Sequence, residues 1–205
     1  MLLRHSHTSP YVRKVTVLLH ETGLVDQVRV ESVDGWSEPD ALTADNPLSM
    51  VPTLVLDDGS TLFDSPVICE YLDSLHAGPP LIPENLPGNN SARWRVLREQ
   101  ALADGILDCA ILIFLEQHRR PEAMRWGWWL DLKRRAITRA LDQLERDADQ
   151  MHHRVDLGTI AIAVALGYLD LRGAAGDWRE QHPALAGWFT AFAQRPSMLA
   201  TEPPR

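Results

Sequence analysis

The stretch that most constrains this chain covers residues 46–71. It reads Asn46-Pro47-Leu48-Ser49-Met50-Val51-Pro52-Thr53-Leu54, then Val55-Leu56-Asp57-Asp58-Gly59-Ser60-Thr61-Leu62-Phe63, then Asp64-Ser65-Pro66-Val67-Ile68-Cys69-Glu70-Tyr71. Two short apolar, β-branched runs flank Asp58-Gly59, a pair that tolerates the positive φ of a tight turn. The pattern therefore predicts paired strands over residues 53–56 and 61–63. A helix follows at once, with Ser65 read as its N-cap, Pro66 as its first residue, and Ile68, Leu72 and Leu75 recurring on one face. The amide groups and positive dipole end of such a helix start suit a carboxylate. The Asp64 side chain beside them suits an ammonium group, so the pair fits an amino-acid head. Val51 precedes a residue with no backbone donor and holds its own N–H and C=O at the edge of the first strand, where an extended peptide can pair with them. Taken singly, each piece also reads as an ordinary hairpin, a capped helix and a trans proline.

Together these motifs resemble the glutathione-binding half of the cytosolic glutathione transferase family, whose N-terminal domain is thioredoxin-like. Asn46-Pro47 through Val51-Pro52-Thr53-Leu54 is similar to that family's Asn-Pro-x-x-x-Val-Pro-x-Leu, in which the valine precedes a cis-proline. Asp64-Ser65 with Ile68, Tyr71 and Leu72 is similar to its acidic-Ser-x-x-Ile-x-x-Tyr-Leu. The resemblance implies that Val51 pairs with the cysteinyl backbone of glutathione and that Asp64 and Ser65 hold the γ-glutamyl head.

Leu2 and Leu3 suit a short first strand. Pro10, capped by Ser9, suits the first position of a helix that presents Val12, Val15 and Leu19 on one face and stops at Gly23. Ser9-Pro10-Tyr11-Val12 resembles the Cys-Pro-Tyr-Cys turn of glutaredoxins without either sulfur. By resemblance to a bacterial-type transferase with serine at the thiol-activating turn, Ser9 is the catalytic candidate and Thr8 the alternative. A free thiol has a pKa near ~8.5, and a hydroxyl donor at a helix N-terminus favours the nucleophilic thiolate. Ser9 also reads as an N-cap alone, and the two roles are compatible. Arg13 and Lys14 read as solvated charges.

Residues 28–33 alternate like a half-buried strand, and residues 34–45 read as a loop containing Trp36. Between Arg29 and Pro52 there is no Lys, Arg or His, while Asp34, Glu38, Asp40 and Asp45 are acidic. Many family members hold the glycyl carboxylate of glutathione with a basic or amide side chain in this region. Here Trp36 N–H, Ser49 or a backbone amide must substitute, or the affinity is weak, or the thiol ligand differs at that end.

Residues 79–90, turn-rich and ending in Gly88-Asn89-Asn90, mark the boundary between a domain over 1–78 and an all-helical domain over 91–205. Leu97, Ala101, Asp104, Asp108, Ile111 and Leu115 share one stripe of a long helix. In several transferase classes an acidic residue near this place reaches the glutathione amine of the neighbouring subunit. That makes Asp104 a candidate, against the plainer reading of a salt bridge to Arg93 or Arg95. Trp126, Trp128 and Trp129 precede another helix, with Ile137, Leu141 and Leu144 on its inner face. The tryptophans read either as core or dimer packing or as a wall for an electrophile. Asp156 and Thr159 form a swapped capping box on the most apolar helix, and Pro183-x-Leu185-x-x-Trp188 followed by Arg195-Pro196-Ser197 is similar to a recurrent family ending.

A formal charge of −8 and a pI near 5.4 argue against nonspecific nucleic-acid binding. No signal-peptide pattern opens the chain and no apolar run approaches the ~20 residues of a membrane span, so the expectation is a cytoplasmic protein without a membrane partner. Cys69 and Cys109 suit small hydrophobes rather than a disulfide, and no metal-ligand spacing is present among the His residues. The expected fold is thus an α/β thioredoxin-like domain followed by an all-α helical domain. By resemblance the chain is a homodimeric, detoxifying glutathione transferase that uses glutathione as co-substrate against a small, apolar electrophile. The alternatives are a binding or regulatory protein of the same fold without conjugating activity, and a glutathione-dependent isomerase or reductase.

Overall fold

The computed structural model describes residues 1–37, 39–85, 88 and 91–204. Glu38 of the acidic loop, and Asn89 and Asn90 of the boundary motif, lie outside the described residues. The described chain forms two compact units, Met1–Arg93 with Pro196–Arg205, and Trp94–Arg195.

In the first unit, strand β1 (Leu2–His5) leads to helix α1 (Pro10–Thr22), which returns the chain to β2 (Arg29–Ser32), parallel to β1. A short helix α2 (Asp40–Asp45) precedes β3 (Thr53–Val55), which is antiparallel to β1 and forms a hairpin with β4 (Thr61–Leu62). Helix α3 (Ser65–Asp73) follows, and the sheet order is β2-β1-β3-β4. This is the thioredoxin-like arrangement that the sequence predicts. The hairpin turns at Gly59, whose φ of 85° suits a residue without Cβ. Ser9 caps α1, and Gly23 closes it in the left-handed conformation. Leu3 and Leu54 on the inner strands are buried, as are Val15 and Leu18 of α1 and Ile68 and Leu72 of α3.

Several local expectations are corrected. The N-cap of α3 is Asp64, and Ser65 is already helical. Residues 34–45 contain a 3-10 turn (Gly35–Ser37) and α2 rather than an unstructured loop. The strand β2 is an edge strand with Val30 49% exposed, so burial on one face ends at Val28. Arg13 and Lys14 are not solvated: Lys14 is 0% exposed, and Arg13 Nη2 donates to Met198 O at 3.1 Å. The reason is a second layer on α1 from helix α9 (Pro196–Ala200), where Ser197 Oγ also bonds the Glu21 carboxylate. Residues 196–205 therefore belong with the first unit, although the sequence pattern groups them with the helical part. The span after α3 is also tied down, because Asp73 accepts from Leu81 N at 2.8 Å and Ile82 N at 2.9 Å.

In the second unit, α4 (Ser91–His118) and α5 (Gly127–Met151) are followed by α6 (Leu157–Arg172), α7 (Trp178–Gln181) and α8 (Pro183–Phe192). Helix α6 is buried continuously over residues 157–166, as its composition predicts, and Asp156 and Thr159 form the reciprocal capping box at 3.0 Å in each direction. Ile137, Leu141 and Leu144 of α5 are core residues as expected. The inner face of α4 is different from the stripe read from sequence. It consists of Val96, Glu99, Gln100, Ala103, Ile106, Leu107, Ala110, Ile113 and Glu116, while Ala101 and Asp108 are exposed and Asp104 is half-buried. Arg93, read from the sequence with Arg95 as a candidate partner for Asp104, meets Glu70 at 2.5 Å. The tryptophans are not core residues either, since Trp126 is 58% and Trp128 57% exposed and the two stack on each other. The Pro183-x-Leu185-x-x-Trp188 ending is structural. Glu145 accepts from Ala184 N and Leu185 N at the head of α8, and Trp188 Nε1 donates to Met151 O.

Candidate functional site

The direction of each strand decides what meets at the end of the sheet. β1 and β2 run toward that end, Arg4 pairs with Thr53 at the start of β3, and Leu62 at the finish of β4 pairs with Leu54. Four connections therefore emerge together: the Ser9 turn after β1, the Trp36 turn after β2, Val51 just before β3, and Asp64-Ser65 just after β4. Five of the six candidate residues share this end of the first unit. Asp104 lies in the second unit, on α4.

Asn46 shapes the loop that presents Val51. It is buried, its Nδ2 donates to Met50 O at 3.1 Å and Thr53 Oγ1 at 3.0 Å, and its Oδ1 accepts from Leu48 N at 2.9 Å. Thr53 Oγ1 also donates to Met50 O, so the loop's inward-facing polar groups are used internally. Val51 follows, with a cis bond to Pro52, and no hydrogen bond within the described residues takes up its N–H or C=O. It thus presents one donor and one acceptor as a strand edge does. Ser49 Oγ is buried without a hydrogen-bond partner, and Ser49 O lies 3.7 Å from where a Cβ on Gly35 would stand, so the Trp36 turn borders this loop. The Trp36 side chain is largely exposed.

At the head of α3, Asp64 is exposed and makes no side-chain cap, while Ser65 is buried. The head of this helix is open to an anion, with a carboxylate beside it. At the head of α1, Ser9 Oγ accepts from Val12 N at 3.4 Å. A hydroxyl has one donor and two acceptor positions, so this cap leaves the Ser9 O–H to donate. Ser9 is half-buried; Thr8 is exposed.

Residues 8–75 match the glutathione S-transferase N-terminal domain family. Over its full length the chain is 36% identical to YibF, an uncharacterized GST-like protein of Escherichia coli (strain K12), with 100% of each covered. The chain belongs to the glutathione S-transferase family. A family member from Pseudomonas fluorescens Pf-5, crystallised with bound glutathione, is 46% identical with a TM-score of 0.94, covering 100% of this chain and 99% of that one. A structure of a Pseudomonas fluorescens Pf-5 family member with bound S-(propanoic acid)-glutathione gives 46% identity and a TM-score of 0.90, covering 100% of each chain.

Sequence reasoning missed two features of this glutathione S-transferase family member. The first is the keystone role of Asn46, which was visible only as one letter of a motif. The second is a His5/His7 pair on the approach to the Ser9 turn, with ring centroids 4.7 Å apart. Burial, and then the neighbouring His7, push the His5 imidazole below its usual pKa, and its Nδ1 is buried without a partner. The signal in the sequence was a His-x-His two residues before Ser9. Arg4, buried on β1, is committed to Glu31 and to Asp45, the latter at 2.7 Å.

Proposed function

We propose that this protein is a glutathione transferase that joins the glutathione thiolate to a small electrophile. The observation that carries the reading is the Ser9 cap: its oxygen accepts from the helix and its O–H remains to donate to a sulfur anion at the positive end of α1. Val51 N–H and C=O pair with the cysteinyl residue. The head of α3 and Ser65 receive the γ-glutamyl carboxylate, and Asp64 receives the ammonium group. The buried Ser49 hydroxyl and the Trp36 turn serve the glycyl carboxylate in place of a basic side chain. Asp104 acts toward the amine of glutathione across a homodimer. In the reaction the thiol proton passes to solvent, sulfur bonds to the electrophilic carbon, and that carbon releases its leaving group with the bonding pair. The relatives' bound glutathione and S-(propanoic acid)-glutathione, the latter a thioether, support this reading.

Following thiolate absorbance against pH in the glutathione complex tests the role of Ser9. The parent should hold the bound thiol well below the ~8.5 of a free thiol, and Ser9→Ala should move it upward while glutathione still saturates. An unchanged thiol pKa in Ser9→Ala removes Ser9 from the mechanism.

A further inference from the structure

Within the second unit, Arg172 sits in the last turn of α6 with its guanidinium 4.3 Å from the ring centre of Phe114 on α4 and 5.3 Å from that of Tyr168. Its Nε approaches Tyr168 OH at 3.3 Å, and the His118 ring stacks on Phe114 at 4.5 Å. Several other arginines of this unit hold carboxylates: Arg154 holds Glu99 and Asp156, Arg179 holds Asp170, Arg120 holds Glu116 and Arg134 holds Asp131. Arg172 has no carboxylate partner among the described residues. A cation in the last turn of a helix is stabilised by the dipole alone. That accounts for a positive charge here, but not for a planar guanidinium clamped between two aromatic rings with its terminal nitrogens unpaired. Such a clamp fixes the orientation of a group whose fork of N–H donors matches a carboxylate, and the adjoining rings offer a flat apolar surface.

We propose that Phe114, Tyr168 and Arg172 form a binding site for the carboxylate of a planar, conjugated or aromatic acid. That this acid is the electrophile rests on the transferase reading above, and it narrows the expected apolar electrophile to one that carries an anionic group.

The test uses a chloronitrobenzoate, with chlorine ortho to the nitro group and para to the carboxylate, and the corresponding benzamide. Each is titrated into the intact protein without glutathione. The acid should bind more tightly than the amide. Arg172→Gln should weaken the acid roughly 10- to 100-fold, the size of a lost charge-assisted hydrogen bond, and leave the amide unchanged. Arg172→Lys should fall between the two, because it keeps the charge without the fork. Equal affinity of acid and amide for the parent, no binding of either, or a parallel loss of both in Arg172→Gln overturns the proposal. With glutathione added, sulfur displaces chloride and chloride release is followed. Acid binding without chloride release leaves the anion site standing and counts against the transferase reading.

Discussion

Helices α3 and α6 both start at an aspartate, and the two starts differ in one respect. At the head of α6, every oxygen of Asp156 has work: Oδ1 accepts from Thr159 N, Oδ2 accepts from Arg154, and Thr159 bonds back to the Asp156 amide. Arg154 in turn holds the buried Glu99, which packs so closely that a Cβ on Gly158 would lie 2.5 Å from Glu99 Oε2. At the head of α3, Asp64 caps nothing and faces solvent. A filled helix head holds the fold, whereas an unfilled one is available to a ligand, and the same residue type serves either purpose.

Breaking the filled head should have the largest effect. Arg154→Ala leaves Glu99 buried without its cation and should cost about 3–5 kcal/mol of unfolding free energy in denaturant titration, with glutathione affinity of the folded protein unchanged. Next in size is the paired comparison of the two aspartates. Asp64→Ala should weaken glutathione roughly 10- to 100-fold by calorimetry while moving stability by less than about 0.5 kcal/mol. Asp156→Ala should do the reverse, costing about 0.5–2 kcal/mol with binding intact. If both substitutions act on stability alone, the distinction between the two helix heads is wrong. Ser9→Ala falls between the classes: at 3.4 Å its cap is weak, and its loss should cost no more than about 1 kcal/mol. The smallest effect concerns His5. Its folded pKa lies below 6.5, so the unfolded chain takes up a proton first as pH falls. Stability should then decline as pH drops below about 6.5 through the folded pKa, and His5→Asn should flatten that slope.

How legible each head was follows from how local its partners are. The hairpin, the Ser9 and Asp156 caps and the Gly23 stop are made by residues within a few positions of one another, so pattern reading finds them. Glu99 meets Arg154 across 55 positions, and neither letter announces the other. For the same reason the inner face of α4 was misread. Glu99 and Glu116 are polar by type, yet buried because partners outside α4 satisfy them, Arg154 for Glu99 and Arg120 and Trp126 N for Glu116. Lys14 reads as solvated in the sequence because helical periodicity does not reveal a second layer. The tryptophans misled in the opposite sense, since size and apolarity alone do not place a side chain inside. At the candidate site, the motif residues were legible as letters, whereas the loop geometry that Asn46 imposes and the His5/His7 pair depend on how strands align.

The packing of α9 on α1 also bears on the order in which the chain is made. Helix α1 leaves the ribosome before the whole helical unit and α9 only after it, so while that unit is made Arg13 and Glu21 have no Met198 carbonyl or Ser197 hydroxyl to meet. The first unit reaches its finished packing only after the entire helical unit has been translated, and a chain arrested before Pro196 carries the unfinished surface on α1, upstream of the helical unit, rather than at the point of arrest.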